Sequence, residues 1–241
     1  MRFVRFERDG RVAEGVLSDG LVAAGGRSFA LDSVRLLAPV MPSKIVCVGR
    51  NYRDHVAEMS VDLPVEPVLF FKPPSAVLEP GGSIVLPPQS TRVDYEGELG
   101  VVIGRRCKNV SRDEALAVVR GYTIVNDVTA RDLQRSDVQW ARAKGFDTFA
   151  PVGPCVADDV DASGLRLRTF VNGEVRQDAT TALLIFDVPR LIEYISAAFT
   201  LEAGDVIATG TPSGVGQLHP GDEVRVEIED IGALVNRVVA A

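Results

Sequence analysis

Glu96 and Glu98 stand two apart and run directly into Leu99-Gly100-Val101-Val102-Ile103-Gly104. The apolar run predicts a buried strand, and residues two apart on a strand point to one face. Two carboxylates side by side at the mouth of such a strand repel each other and lose hydration. A hard divalent cation offsets that loss; the wet face of an amphipathic strand would carry the same pattern. His55 and Glu58 are three apart on a predicted helix. They suit a base with an orienting carboxylate, and equally a surface pair. Lys72 closes the apolar strand Val68-Leu69-Phe70-Phe71, where a lysine either snorkels outward or faces a site. Asp127 ends the run Tyr122-Thr123-Ile124-Val125-Asn126, as a strand-end acid or as the N-cap of a helix over Ala130–Gln134. Lys144 falls in an irregular segment, Trp140–Asp147, that also suits a solvated loop. Gly210–Gly216 is rich in glycine but lacks the Lys-Ser/Thr ending of a phosphate loop and precedes a strand, so nucleotide binding is rejected. Its backbone N–H groups and the Thr211 hydroxyl suit a carboxylate. No Gly-x-Ser-x-Gly elbow occurs and neither histidine belongs to an evident triad, which disfavours an activated-serine hydrolase.

The elements that must hold these groups are mostly strands. Residues 1–41 read as a small β-rich domain, with a strand, a Ser18-Asp19-Gly20 turn and a second strand; residues 42–241 form the main domain. The latter opens on Ile45-Val46-Cys47-Val48-Gly49, bends at Arg50-Asn51-Tyr52 and enters a short helix over Asp54–Met59. Ser111-Arg112-Asp113-Glu114 predicts a capping box and a helix stopped by Gly121. Asn172-Gly173 predicts a hairpin turn. Asp187 caps a helix from Val188 to about Phe199, with Leu191, Ile192, Ile195 and Phe199 as its buried stripe. Two strands, Glu223–Ile228 and Ala233–Val239, close the chain. Strands outnumber helices and do not alternate with them, so the class is α+β, mainly β.

The chain has 241 residues and a net charge of −7, which argues against a nucleic-acid partner and an anionic membrane surface. No apolar run approaches a membrane span, and the N-terminus reads as a strand rather than a signal peptide. Three widely spaced cysteines suit free thiols in a reducing cytoplasm, and two histidines without Cys-x-x-Cys disfavour structural zinc.

Several motifs occur together and in order: Val46-Cys47-Val48-Gly49-Arg50-Asn51-Tyr52-x-x-His55-x-x-Glu58; Glu96-x-Glu98-Leu99-Gly100; Asn126-Asp127-Val128-Thr129-Ala130-Arg131-Asp132; Lys144-Gly145-Phe146; Val171-Asn172-Gly173; and Thr209-Gly210-Thr211-Pro212-x-Gly214-Val215-Gly216. From about residue 44 to 232 the chain resembles the fumarylacetoacetate hydrolase family, and in particular its short members: acylpyruvate hydrolases, oxaloacetate decarboxylases and 2-hydroxyhepta-2,4-diene-1,7-dioate isomerases. The resemblance implies a mixed, barrel-like β-roll, a homodimer, and a divalent metal held by Glu96, Glu98 and Asp127. It implies a catalytic His55–Glu58 dyad on a lid. Lys144 would join the dyad in catalysis and, with Gln134 and Arg131, contact substrate, while Thr211 would hold a substrate carboxylate. Arg50, Tyr52 and Lys72 are counted with the substrate-binding residues. Longer members carry a further aspartate ligand ahead of the histidine, for which this chain has no equivalent, since Asp54 directly precedes His55.

An all-carboxylate set suits Mg²⁺ or Mn²⁺, with Ca²⁺ as the alternative. A 2-oxo acid could chelate such an ion, and Lys144 would help stabilise an enolate. The leading expectation is C–C bond cleavage of a small anionic 2-oxo acid, by acylpyruvate hydrolysis or oxaloacetate decarboxylation. The alternatives are a dienedioate isomerase/decarboxylase and, in another class, a non-catalytic metal- or ligand-binding homologue.

Overall fold

The strands that carry the acids lie at the centre of the largest sheet, in a computed structural model that describes residues 1–58 and 62–241. Met59, the last residue of the predicted lid helix, lies outside the described residues. The sheet runs from Arg27–Ala30 through Leu21–Ala24, Arg11–Ser18 and Arg2–Arg8 to Ala150–Ala157, Val119–Asn126, Gly97–Ile103, Val206–Ala208, Ile45–Gly49 and Val68–Lys72. Gly97–Ile103 is buried at every position, which is why it reads as an unbroken apolar run rather than an alternating one. The N-terminal strands extend this same sheet: Arg2 and Phe3 pair with Ala157 and Val156.

A five-stranded sheet packs against it, in the order Glu174–Thr180, Arg166–Val171, Glu223–Ile228, Gly232–Ala240 and Ser83–Leu86. Leu99, Val101 and Ile124 of the large sheet meet Leu167, Val226 and Leu234 of this one in a common core. The predicted hairpin is present, with Asn172 and Gly173 at φ of 52° and 83°, the left-handed pair that its turn requires. A small third sheet joins Thr129–Ala130, Val93–Tyr95 and Gly216–Gln217. The fold is the mainly β, α+β class expected. Its sheets follow open paths and close no barrel among the described residues.

The helix over Val188–Ala198 forms as predicted. Asp187 accepts from Arg190 N at 3.0 Å, and Leu191, Ile192 and Ile195 are fully buried. Three local expectations are corrected. After Ser111 the chain forms a 3₁₀ helix, Arg112–Val118, and Ser111 Oγ bonds Glu114 Oε2 rather than a backbone N–H. Gly121 sits inside the next strand instead of stopping a helix: a Cβ there would lie 2.4 Å from Ala157 O. The supposedly irregular Trp140–Asp147 contains a short helix, Ala141–Gly145, and buries Lys144. All three cysteines are free. No helix among the described residues is long and apolar enough to cross a membrane.

Candidate active site

Glu96 occupies the joint between two sheets. Val93–Tyr95 belongs to the three-stranded sheet and Gly97–Ile103 to the twelve-stranded one. At this joint two side-chain carbonyls take over the ladder's work: Glu96 N donates to Asn126 Oδ1 and Gly97 N to Gln177 Oε1, both at 3.0 Å. Asp127 follows the neighbouring strand's last residue, and its N–H donates to Glu96 O at 2.8 Å. It caps no helix; Ala130 stands at the next helix's N-cap position, without a side-chain cap. Glu96, Glu98 and Asp127 thereby converge, each offering a carboxylate oxygen within 4.8 Å of the others, and all three are buried.

Cations brace this cluster from two sides. Lys144 Nζ donates to Glu96 Oε2 at 2.8 Å and to Asp127 Oδ2 at 2.7 Å. Arg131 bonds Glu96, Asp94 Oδ2 at 2.9 Å and Gln134 Oε1 at 2.8 Å. Lys72 donates its three protons to the carbonyls of Val128, Lys144 and Phe149 at 2.7–2.9 Å. It lies 2.8 Å from Asp127 Oδ1, which receives no hydrogen bond. Four buried carboxylates, Asp94, Glu96, Glu98 and Asp127, thus face three buried cations, Lys72, Arg131 and Lys144, and half-exposed Arg92 pairs with Asp94 from outside at 3.1 Å.

Glu98 is the one acid of the four with no cation in ion-pair contact among the described residues, where its one bond is from Gly210 N, at 2.8 Å. Burial, and then Asp127 and Glu96, push its carboxyl well above the usual range. Burial alone would raise Glu96 as well, but Arg131 and Lys144 hold it well below that range. Burial opposes the charge of Lys144, yet Asp127 and Glu96 raise its pKa. Three convergent carboxylates, an oxygen-only donor set in which Glu98 has no cation beside it among the described residues, fit a hard divalent cation such as Mg²⁺ or Mn²⁺.

His55 is buried on the short helix Arg53–Glu58, with Nδ1 3.1 Å from Glu58 Oε2. Glu58 also accepts from Gly214 N at 3.2 Å, which ties the dyad to the glycine-rich loop. The cavity between these groups is lined by the three acids, His55 and Lys144, with Arg50, Arg131, Gln134 and Thr211 at its sides. Phe70 and Trp140, edge to face at 5.4 Å, form an apolar wall.

Two residues expected to bind substrate lie off the cavity wall, and a third lines it with its hydroxyl proton engaged. Lys72 is fully buried behind Asp127, and its protons are already committed, so it positions that acid instead of reaching the cavity. Tyr52 is buried off the cavity wall, its phenol pushed up by burial, and its backbone bridges Leu184. Thr211 lines the cavity, but its hydroxyl donates to Gly97 O at 3.0 Å and accepts from Gln177 Nε2 at 2.8 Å, so that proton is not free for a carboxylate. Arg50 does line the cavity, at φ 60°. Its bend is held by buried Asn51, which bonds both backbone groups of Phe186 and the carbonyl of Thr209.

Asp94, Asn126 and Gln177 are structural members of the site that the sequence reading missed. Asp94 adjoins the glutamate pair and was within reach of that reading. Asn126 and Gln177 had no signal, because each acts on a backbone N–H supplied by a distant strand.

Residues 44–239 match the fumarylacetoacetate (FAA) hydrolase C-terminal family. A crystal structure of 5-carboxymethyl-2-hydroxymuconate delta-isomerase from Mycobacterium smegmatis is 48% identical, superposes with a TM-score of 0.94, and is matched over 100% of this chain and 99% of its own. Bovine mitochondrial oxaloacetate tautomerase FAHD2A is 47% identical over 219 residues, 86% of this chain and 70% of its own length. Maleylpyruvate hydrolase from Sphingobium sp. SYK-6, solved with manganese(II) and pyruvate, is 31% identical over the whole of both chains, with a TM-score of 0.86. The buried acid cluster and the dyad thus sit in a chain that belongs to the fumarylacetoacetate hydrolase family of enzymes.

Proposed function

We propose that this chain is a divalent-metal-dependent enzyme that moves a proton at the carbon beside the ketone of a small 2-oxo dicarboxylate, interconverting enol and keto forms, with oxaloacetate as the representative substrate. The observation that carries this reading is a buried histidine, oriented by a carboxylate, facing three convergent acids and a buried lysine across one small cavity. Glu58 accepts a hydrogen bond from the Nδ1–H of His55 and leaves Nε2 as the basic nitrogen. His55 removes the proton from carbon and returns it to oxygen, or the reverse. Lys144, kept charged by Glu96 and Asp127, stabilises the negative charge that develops on the enolate oxygen. An ion held by Glu96, Glu98 and Asp127 would supply Lewis-acid polarisation of the ketone. Phe70 and Trp140 shield the reacting carbon from water on one side.

Further support comes from the relatives. Those named for tautomerase or isomerase chemistry are 47% and 48% identical, against 39% and 31% for two structures named as hydrolases. C–C bond cleavage is the second reading, favoured by Glu58, whose side chain is 38% exposed and keeps the dyad within reach of water. Presenting the enol of oxaloacetate to the Mn²⁺-loaded enzyme, and following enol loss and pyruvate release in one sample, separates the two. Accelerated enol loss with pyruvate at background, abolished by chelation, is expected. Pyruvate appearing in step with enol loss would establish cleavage instead, and no effect on either would overturn both readings.

A further inference from the structure

Gln177 does not itself line the cavity, yet its amide joins the elements that make the site. It lies on the edge strand Glu174–Thr180, where Glu174, Val175 and Arg176 are exposed and Gln177 is 1% exposed. A register shift explains the inward turn: Thr169 pairs with Gln177 and Phe170 with Val175, leaving Arg176 as a bulge. The bulge reaches two glycines. A Cβ at Gly97 would lie 2.3 Å from Thr169 Oγ1 and 3.2 Å from Gln177 Oε1, and one at Gly214 would lie 2.0 Å from Arg176 O. Only glycine therefore allows the link between Glu96 and Glu98, and the loop after Thr211, to approach this strand so closely.

We propose that Gln177 is a positioning residue that ties the Glu96–Glu98 segment to the Thr211 loop and, through Gly214, to the His55–Glu58 dyad. The inference rests on the reading of those acids and that dyad as the working groups of the site. Three hydrogen bonds form a closed ring: Gly97 N–H to Gln177 Oε1 at 3.0 Å, Gln177 Nε2 to Thr211 Oγ1 at 2.8 Å, and Thr211 Oγ1 back to Gly97 O at 3.0 Å. The same Nε2 donates to Pro212 O at 2.9 Å. The loop so held donates Gly210 N–H to Glu98 and Gly214 N–H to Glu58, while Tyr95 OH holds the Gly214 carbonyl at 2.8 Å. One neutral amide thus sets acids and dyad relative to each other without adding charge beside Glu98, which has no paired cation among the described residues.

Two variants separate its two ends. Q177E keeps an acceptor for Gly97 N–H but has no donor for Thr211 or Pro212. Q177M fills the space and has neither. Amide hydrogen exchange, Mn²⁺ titration and steady-state kinetics on both variants, with melting curves as the stability control, test the role. Expected are faster exchange over 209–216 and over the Arg53–Glu58 helix in both variants, and a kcat about ten- to a hundredfold lower. Mn²⁺ affinity is expected to fall in Q177M and hold in Q177E. Faster exchange confined to the Glu174–Thr180 hairpin, or a lower melting temperature with kcat and Mn²⁺ affinity unchanged, would reduce Gln177 to a structural residue and overturn the proposal. If the wild-type enzyme turns over no 2-oxo acid, the functional reading fails, and the exchange pattern still decides whether Gln177 couples the segments.

Discussion

Replacing Glu98 by glutamine should make the metal-free protein more stable while removing its response to divalent ions. Asp94, Glu96 and Asp127 are each ion-paired, to Arg92, Lys72, Arg131 or Lys144, whereas among the described residues Glu98 has no cation in contact and Gly210 N–H as its one hydrogen-bond donor. Burying an unpaired carboxylate costs several kcal/mol even after relaxation. Each like charge, lying within 4.8 Å, adds about 3 kcal/mol or more at an effective dielectric near 20, before neighbouring cations offset it. A glutamine keeps an oxygen for Gly210 N–H and drops the charge. With most of the repulsion already offset, a gain of about 2 kcal/mol is expected, which for a chain of this length is roughly 4–8 °C in melting temperature. The assay is thermal unfolding of chelated wild type and E98Q, with and without added Mn²⁺. At a hundredfold excess over its Kd, Mn²⁺ should stabilise wild type by about 2.7 kcal/mol. The variant's curve should not move. An E98Q protein less stable than chelated wild type, or one that Mn²⁺ stabilises equally, would refute this assignment of charge.

Three further outcomes follow from the same geometry. H55Q should lose about two to four orders of magnitude in turnover with Mn²⁺ affinity intact; a loss below about tenfold in steady-state kinetics would show that His55 is not the base. Gly214 has φ +95° and no room for a Cβ, so G214A should displace the loop that holds Glu58 and lower kcat at least tenfold, with urea unfolding reporting a loss of about 2 kcal/mol. Asp205 is buried, which would raise its pKa, but Lys44, Glu202 N–H and Ser43 hold it below the usual value. A lowered carboxylate pKa stabilises the fold above the unfolded-state value of about 3.9 and is lost as pH falls through the folded-state value. D205N should therefore cost about 3 kcal/mol at neutral pH and flatten the acid-side decline seen in wild type, as chemical unfolding across pH would report.

How much of this was legible beforehand depended on how far each residue's role reached along the chain. The alternation rule put Glu96 and Glu98 on one side because parity along a strand is local, although it could not show that the chain changes sheets at Glu96 itself. The Asn172-Gly173 turn and the Asp187 cap were equally local and formed as read. Lys144 looked like a loop lysine because its helix spans five residues, too few for an apolar period to emerge. Lys72 was ambiguous because its partners are carbonyls at 128, 144 and 149, which no local pattern brings together. Gln177 stayed hidden for a related reason: a bulge, not alternation, turns it inward.

The central claim is that the buried acids and His55 act together on the proton beside a ketone. It is tested most directly by the rate of enol loss from oxaloacetate with Mn²⁺-loaded wild type, chelated wild type and Mn²⁺-loaded H55Q compared side by side. Acceleration by the loaded wild type alone, restored to the chelated enzyme when Mn²⁺ is returned, is the predicted result. Equal acceleration by the chelated enzyme or by H55Q would contradict it.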